Sequence, residues 1–237
     1  VKIDFLSREV TVKLVYYGPA LSGKTTNLQA LHDASRDGAA GQLLTLETRD
    51  DRTLFFDLLP LSFKGTRDVS VRLKVFTVPG QSIHVSTRKL VLQGVDGVVF
   101  VADSNADETK HNAASFLDLK ENLSTHGIAL KELPVVIQFN KQDLPNAISR
   151  DELAKLASKG KELVFPAIAT EGKGVVETFM ALLDVTWRRL EHTHGLSSKL
   201  GIHGAELLQE VGAQLGCADV RGAIAQGLGP APSKEAS

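Results

Sequence analysis

The stretch G-P-A-L-S-G-K-T-T, Gly18–Thr26, matches the pattern G-x-x-x-x-G-K-[ST]. It follows the apolar, β-branched run V-T-V-K-L-V-Y-Y (10–17) and opens K-T-T-N-L-Q-A-L-H-D-A-S, in which Leu28, Leu31 and Ala34 share one helical face. A strand feeding a glycine loop and then a helix turns successive backbone N–H groups toward an anion, and the helix adds the positive end of its dipole. Gly18 and Gly23 allow the tight turns, with Ala20, Leu21 and Ser22 between them. Lys24 is expected to reach the β- and γ-phosphates as a point charge and Thr25 to offer its hydroxyl to Mg²⁺, while Thr26 continues into the first helical turn. A glycine loop matching by chance is the plain alternative, and the strand before and helix after argue against it.

The loop alone leaves ATP and GTP open. N-K-Q-D, Asn140–Asp143, closes the choice because it follows another apolar run, P-V-V-I-Q-F-N (134–140). A carboxylate at Asp143 accepts from the N1–H and exocyclic amine of guanine, whereas adenine has no such donors on that edge and would leave the acid unpaired. Asn140 would brace neighbouring loops and contact the base, and the stem of Lys141 would cover the ring. At the next strand end, A-I-A-T-E-G offers the N–H groups of Ala169 and Thr170 to the guanine carbonyl. Four polar residues after a strand are a weak signal alone; the two motifs in this order are a strong one.

Working outward, short apolar runs alternate with amphipathic stretches. L-F-F-D-L-L-P-L-S (54–62) and V-S-V-R-L-K-V-F-T-V (69–78) read as adjacent antiparallel strands, and G-V-V-F-V-A-D (97–103) as a central strand covered on both faces. Helices are expected at 111–127, at 149–157, where Ser149 and Glu152 form a capping box, and at 175–192, with L-V-F-P-A-I-A (163–169) as the final strand. The segment from Gly38 to about Thr53 has little periodicity. The order implies an α/β fold, a mostly parallel sheet with helices on both sides and ligands at the carboxyl ends of the strands.

A formal charge of -1 gives no electrostatic case for nucleic acid, and the lone cysteine, Cys217, excludes an internal disulfide. No apolar run reaches the roughly 18 to 20 residues of a membrane span, and no signal peptide or lipidation motif is apparent, so a cytoplasmic protein is expected.

Together the strings V-K-L-V-Y-Y-G-P-A-L-S-G-K-T-T-N-L-Q, D-D-R-T-L-F-F-D-L-L-P-L-S, T-V-P-G-Q, R-K-L-V-L-Q-G-V-D-G-V-V-F-V-A-D-S and V-V-I-Q-F-N-K-Q-D-L-P-N-A resemble the mutual gliding-motility branch of the Ras-like small GTPases, from about Ser7 to about Glu191. The resemblance implies a Ras-like P-loop GTPase fold with two switch loops, bound GTP or GDP with Mg²⁺, a dimeric roadblock-domain activating protein, and polar recruitment in the GTP state. Carried over by residue, Thr53 would ligate Mg²⁺ with Thr25, Arg52 would act as a built-in arginine finger, Gln81 would orient the attacking water, and Gly80 would donate its N–H to the γ-phosphate. Without the resemblance, Arg52 is a solvated loop arginine and Gln81 a turn residue. Thr77 stands where most GTPases have the aspartate of D-x-x-G, a departure this branch shares; Asp57 is the candidate to supply the missing carboxylate, or else a strand-edge aspartate.

Ala20 stands where the family usually has glycine, facing the γ-phosphate, so its methyl is expected to slow intrinsic hydrolysis. The alternatives are a constitutively GTP-loaded scaffold and a P-loop kinase or ATPase; no long lid-like insertion favours the last. The chain divides into a GTPase domain, 1–192, and an extension, 193–237, read as a linker (H-T-H-G-L-S-S-K-L-G), a short amphipathic helix with Leu208, Val211 and Leu215, a second short helix and a disordered end. The extension packs on the body or docks an effector or polar scaffold.

Overall fold

The computed structural model describes residues 1–35, 41–46, 56–64, 69–79 and 85–229. In chain order these form β1 (Lys2–Asp4), β2 (Glu9–Tyr17), α1 (Lys24–Ala34), β3 (Leu44–Leu46), β4 (Phe56–Lys64), β5 (Ser70–Thr77), α2 (Val85–Leu92), β6 (Gly97–Asp103), α3 (Thr109–Ser124), β7 (Val135–Asn140), α4 (Arg150–Ala157), β8 (Leu163–Pro166), α5 (Val175–His194), α6 (Leu196–Leu200), α7 (Gly204–Gln214) and α8 (Val220–Ala225). One sheet runs β3-β4-β5-β2-β6-β7-β8, with β1 paired to the start of β2. β2 is parallel to β5 and β6, and β6, β7 and β8 follow in parallel, while β4 runs antiparallel to both β3 and β5. The expected mostly parallel α/β sheet is therefore present, with the antiparallel pair where the sequence puts it. β1 and β3, three residues each, are too short to carry a pattern.

Period-two alternation divides the core between the sheet's faces. On one face Val10, Val12, Leu14 and Tyr16 of β2 pack with Leu28 and Leu31 of α1 and with Phe179, Leu182 and Leu183 of α5. On the other, Val15 and Tyr17 pack with Val91 and Leu92 of α2 and Leu119 and Leu123 of α3. All seven residues of β6 are buried, as a central strand covered on both faces requires. The capping box of α4 is present: Ser149 accepts from the Glu152 N–H, and Glu152 reaches back to the Ser149 N–H.

The stretch H-T-H-G-L-S-S-K-L-G, read as a linker, is instead largely helical. α5 continues to His194, Gly195 in the left-handed conformation (φ 63) ends it, and α6 follows at once, with Leu196, Leu200 and Ile202 buried. The missed signal is the apolar spacing Leu196, Leu200, hidden by the glycines on either side. Leu207, Val211 and Leu215 of the α7 region then join the same core as Trp187, Leu61 and Phe63, and α7 lies against both α5 and β4. The two glycines that weaken α7 as an isolated helix are contact points. A Cβ on Gly204 would come within 2.7 Å of Trp187 Cδ1, and one on Gly212 within 2.4 Å of Val220 Cγ2. After α8 the backbone of Leu228 exchanges two hydrogen bonds of 2.8 Å with Val164, covering part of the outer edge of β8.

Leu207 is 4% exposed. Leu207→Ala is expected to lower stability by about 2–4 kcal/mol in urea unfolding with an unchanged m-value, whereas a loosely attached extension would change it by less than about 0.5 kcal/mol.

Candidate functional site

The carboxyl ends of β2, β6, β7 and β8 lie side by side, so the loops that follow them converge. The first is the glycine loop. Gly18 is buried so closely against β6 that a Cβ would stand 2.1 Å from the Val101 carbonyl oxygen. Ala20 and Leu21 are exposed at the mouth, and Leu21 holds a left-handed conformation (φ 61), which costs a non-glycine residue about 1–2 kcal/mol. Ser22 is fully buried; Gly23, at φ 96, starts α1. Lys24 is buried with its ammonium donating to the carbonyls of Gly18 (2.9 Å) and Pro19 (2.6 Å). Burial first, and the nearby Arg88 charge second, push its pKa down to about 8, with Asp57 opposing them. Thr26 is a half-buried residue of α1.

Asp57 lies beside both Thr77 and Thr25. The antiparallel register sets the two residues opposite each other, across the β4–β5 pair. Thr77 Oγ1 donates to Asp57 Oδ2 (2.9 Å) and accepts from the Asp57 N–H (2.9 Å), while Thr25 Oγ1 donates to the same Asp57 oxygen (2.6 Å). Asp57 is 5% exposed. A buried carboxylate thus stands beside the loop hydroxyl, reached from the neighbouring strand. Thr25 and Asp57 offer only hard oxygen ligands, which suits Mg²⁺. Among the described residues no group of three or more His, Cys, Asp or Glu side chains is placed to hold a metal by itself.

At the other end Asn140, 3% exposed, donates from Nδ2 to the Ser22 carbonyl (2.8 Å) and accepts at Oδ1 from the Ala169 N–H (2.9 Å). The bracing role expected of Asn140 is present. It also corrects the expectation for Ala169, whose N–H is engaged by Asn140 and not turned to a base. Thr170 is exposed beside it, in the turn Ala169–Glu171. Lys141 is in the left-handed conformation (φ 68), its ammonium paired with Asp103 at the end of β6 (2.5 Å). The carboxylate of Asp143 belongs to an exposed residue of the same loop. Left-handed non-glycine residues in both the Gly18–Lys24 loop and the Asn140–Asp143 loop mark strain retained at a site.

Arg52, Thr53, Gly80 and Gln81 lie outside the described residues. Sequence reasoning missed Arg88 and Asp118. Arg88, from α2, is buried, ion-pairs with Asp118 of α3 (3.0 Å) and donates to the Pro79 carbonyl (3.4 Å). Asp118 also accepts from Tyr17, the residue before the glycine loop. An arginine within the apolar pattern of R-K-L-V-L was the available signal.

Residues 3–186 match the ADP-ribosylation factor family, Arf. The mutual gliding-motility protein MglA of Myxococcus xanthus (strain DK1622) is 44% identical over 189 residues, which cover 80% of this chain and 97% of that protein. ADP-ribosylation factor-like protein 14 of Mus musculus is 30% identical over 132 residues, 52% of this chain and 67% of that protein. Among the described residues no helix is long and apolar enough to cross a membrane.

Gly23→Ala puts a Cβ 2.1 Å from Asn140 Nδ2 at a left-handed position. The variant is expected to release bound fluorescent GDP at least about tenfold faster, as one buried hydrogen bond is displaced; release at the wild-type rate would mean that Asn140 holds nothing of consequence.

Proposed function

Because the chain belongs to the ADP-ribosylation factor family, in the branch of the mutual gliding-motility GTPases, we propose that Gly18–Thr25 and Asn140–Asp143 hold the two ends of one guanine nucleotide, and that Ala20 and a partner set how fast it is cut. The protein is a GTP-binding switch that hydrolyses GTP to GDP and phosphate. What supports this assignment of residues is Asn140, which touches the glycine loop and the Ala169–Glu171 turn together. A ligand bridging the two loops meets backbone amides and Lys24 at its anionic end and Asp143 at its purine end.

In this reading the chain's residues position and neutralise, and no covalent intermediate is formed. The N–H groups of the glycine loop and the Lys24 ammonium offset charge on the phosphates. Mg²⁺, held by Thr25 and Thr53 with Asp57 supporting its water shell, would supply further neutralisation when bound. Asp57 takes the place of the aspartate that Thr77 replaces. Gln81 orients the attacking water, Arg52 spreads positive charge over the transferred group, and Gly80 with Thr53 reports the γ-phosphate to the switch loops. Ala20 crowds the transition-state arrangement more than bound GTP, so intrinsic turnover is slow and a roadblock-domain protein accelerates it. The likeness to the mutual gliding-motility protein MglA supports a role in surface motility; in the same reading the protein is cytoplasmic and recruited to a cell pole. Effectors or a polar scaffold would read the switches or the extension.

Phosphate release from purified protein in Mg²⁺ tests the assignment. GTP is expected to be preferred over ATP by about 10⁴-fold, the discrimination available to a site that pairs a donor the rival lacks, and Asp143→Ala should abolish it. Ala20→Gly is expected to raise the single-turnover rate about tenfold or more without changing GTP affinity. A wild-type rate in that variant removes the role given to the methyl, and no turnover even with a roadblock partner would favour the loaded scaffold.

Asp57→Asn keeps the shape and removes the charge. It should weaken GDP affinity about 10- to 100-fold in excess Mg²⁺ and much less in chelator, the range of a charge-assisted contact. Equal losses under both conditions would make Asp57 a purely structural partner of Thr25 and Thr77.

A further inference from the structure

Beneath the nucleotide loops lies a line of buried polar groups with no assigned role. Gln138 sits between the apolar residues Ile137 and Phe139 in β7 and is fully buried, as are Asn27 of α1 and Thr178 of α5. Gln138 Nε2 donates to Asn27 Oδ1 (2.9 Å) and to Thr178 Oγ1 (3.1 Å) and lies 3.5 Å from the Gly174 carbonyl. Asn27 Nδ2 donates to the Gly23 carbonyl (2.9 Å), which also accepts from the Asn27 N–H (3.0 Å). Thr178 Oγ1 donates to the Gly174 carbonyl (2.5 Å).

The direction of this chain follows from its ends. The Gly23 and Gly174 carbonyls can only accept, so Asn27 must turn its amide nitrogen to Gly23 and its oxygen to Gln138. Gln138 must then answer with its nitrogen, which leaves its Oε1 buried without a hydrogen-bond partner. A buried acceptor left unmet costs about 1–3 kcal/mol, and apolar residues at positions 27 and 138 together would fill the same space without that cost. The arrangement therefore has a use other than stability.

That use follows from peptide planarity. In a trans peptide the C=O of one residue and the N–H of the next point in opposite directions across one rigid plane. Asn140 pins the Ser22 carbonyl and so fixes the Gly23 N–H; Asn27 pins the Gly23 carbonyl twice and so fixes the Lys24 N–H. These are consecutive amides of the glycine loop. The restraint on the second is anchored through Gln138 to the start of α5, which follows the Ala169–Glu171 turn on the purine side.

We propose that Asn27 and Gln138 are positioning residues for nucleotide retention, a relay that orients the Lys24 amide toward the phosphates and ties it to the purine-side loops. They touch no ligand; their effect reaches it through the Gly23–Lys24 peptide. The relay rests on the reading that Gly18–Thr25 is the phosphate loop.

The test uses the full chain loaded with a fluorescent GDP analogue, with urea unfolding as the parallel readout. Gln138→Leu orphans Asn27 Oδ1 and is expected to release the nucleotide about tenfold faster, the factor carried by one buried neutral hydrogen bond. Asn27→Leu with Gln138→Leu replaces both polar partners by apolar ones, which restores packing but not the grip on the Gly23 carbonyl. The double variant should regain the wild-type unfolding midpoint, measured without added nucleotide, and still release GDP about tenfold faster than wild type. Recovery of both together would show that the pair only packs the core and would overturn the proposal, as would wild-type release from Gln138→Leu. Lys24→Met serves as the separate control: if it retains GDP like the wild type, the phosphate-loop reading itself fails, whatever Asn27 and Gln138 do.

Discussion

The hydrogen bonds of Asn140 join two loops that are far apart in sequence. Its carboxamide faces the Ser22 carbonyl with its nitrogen and the Ala169 N–H with its oxygen, so donor and acceptor are both used in a buried place. The contact is possible only because β7 lies two strands from β2 and one from β8, all parallel, with their carboxyl ends level. Gly23 then has to be glycine for a reason beyond its positive φ, because the Asn140 amide occupies the space a Cβ would need. Sheet order, strand direction and one side chain together make a single site out of separate loops.

The same register logic explains how the site keeps a carboxylate when Thr77 lacks one. Opposite residues of an antiparallel pair sit close enough for side chains to interact, so an acid lost from the end of β5 can be supplied by the facing residue of β4. Thr77 remains useful as the hydroxyl that donates to Asp57 and receives its N–H, leaving the carboxylate directed at Thr25. In the proposed reading the motif is moved across a strand pair, where a search for D-x-x-G in the sequence would not find it.

Much of the fold was legible because its signals are local. The glycine loop needs its strand and helix immediately on either side, β6 is apolar throughout, and the capping box of α4 is complete within four residues. The loops from Gly18 to Thr25 and from Asn140 to Asp143, which are proposed to hold the nucleotide, could be named for the same reason. What escaped depends on contacts between distant segments. Arg88 and Asp118 meet only because α2 packs on α3. The use of the Ala169 N–H depends on Asn140, 29 residues away. Gln138 was visible as a polar residue between two apolar ones, yet its meaning lies in Asn27, 111 residues away. The glycines of α7 misled in the opposite sense: helix propensity counts them as weaknesses, while their positions over Trp187 and Val220 let the helix approach closely.

The extension is connected to the site through β4. At its beginning this strand carries Asp57, bonded to the glycine loop; further along it carries Leu59, Leu61 and Phe63, all buried on the face that also holds α5 and α7. Side chains alternate along a strand, so a slip of one residue would turn those three out of the core and carry Asp57 away from Thr25 at once. Helix α7 lies against both α5 and β4, and Arg8, between β1 and β2, donates to the Leu200 carbonyl at the end of α6 (3.4 Å). Residues beyond the 186 reached by the family match therefore add apolar contacts to the strand whose register keeps the carboxylate in place. The part of the chain that lies beyond the family match thus helps hold in position the carboxylate that is bonded to the glycine loop.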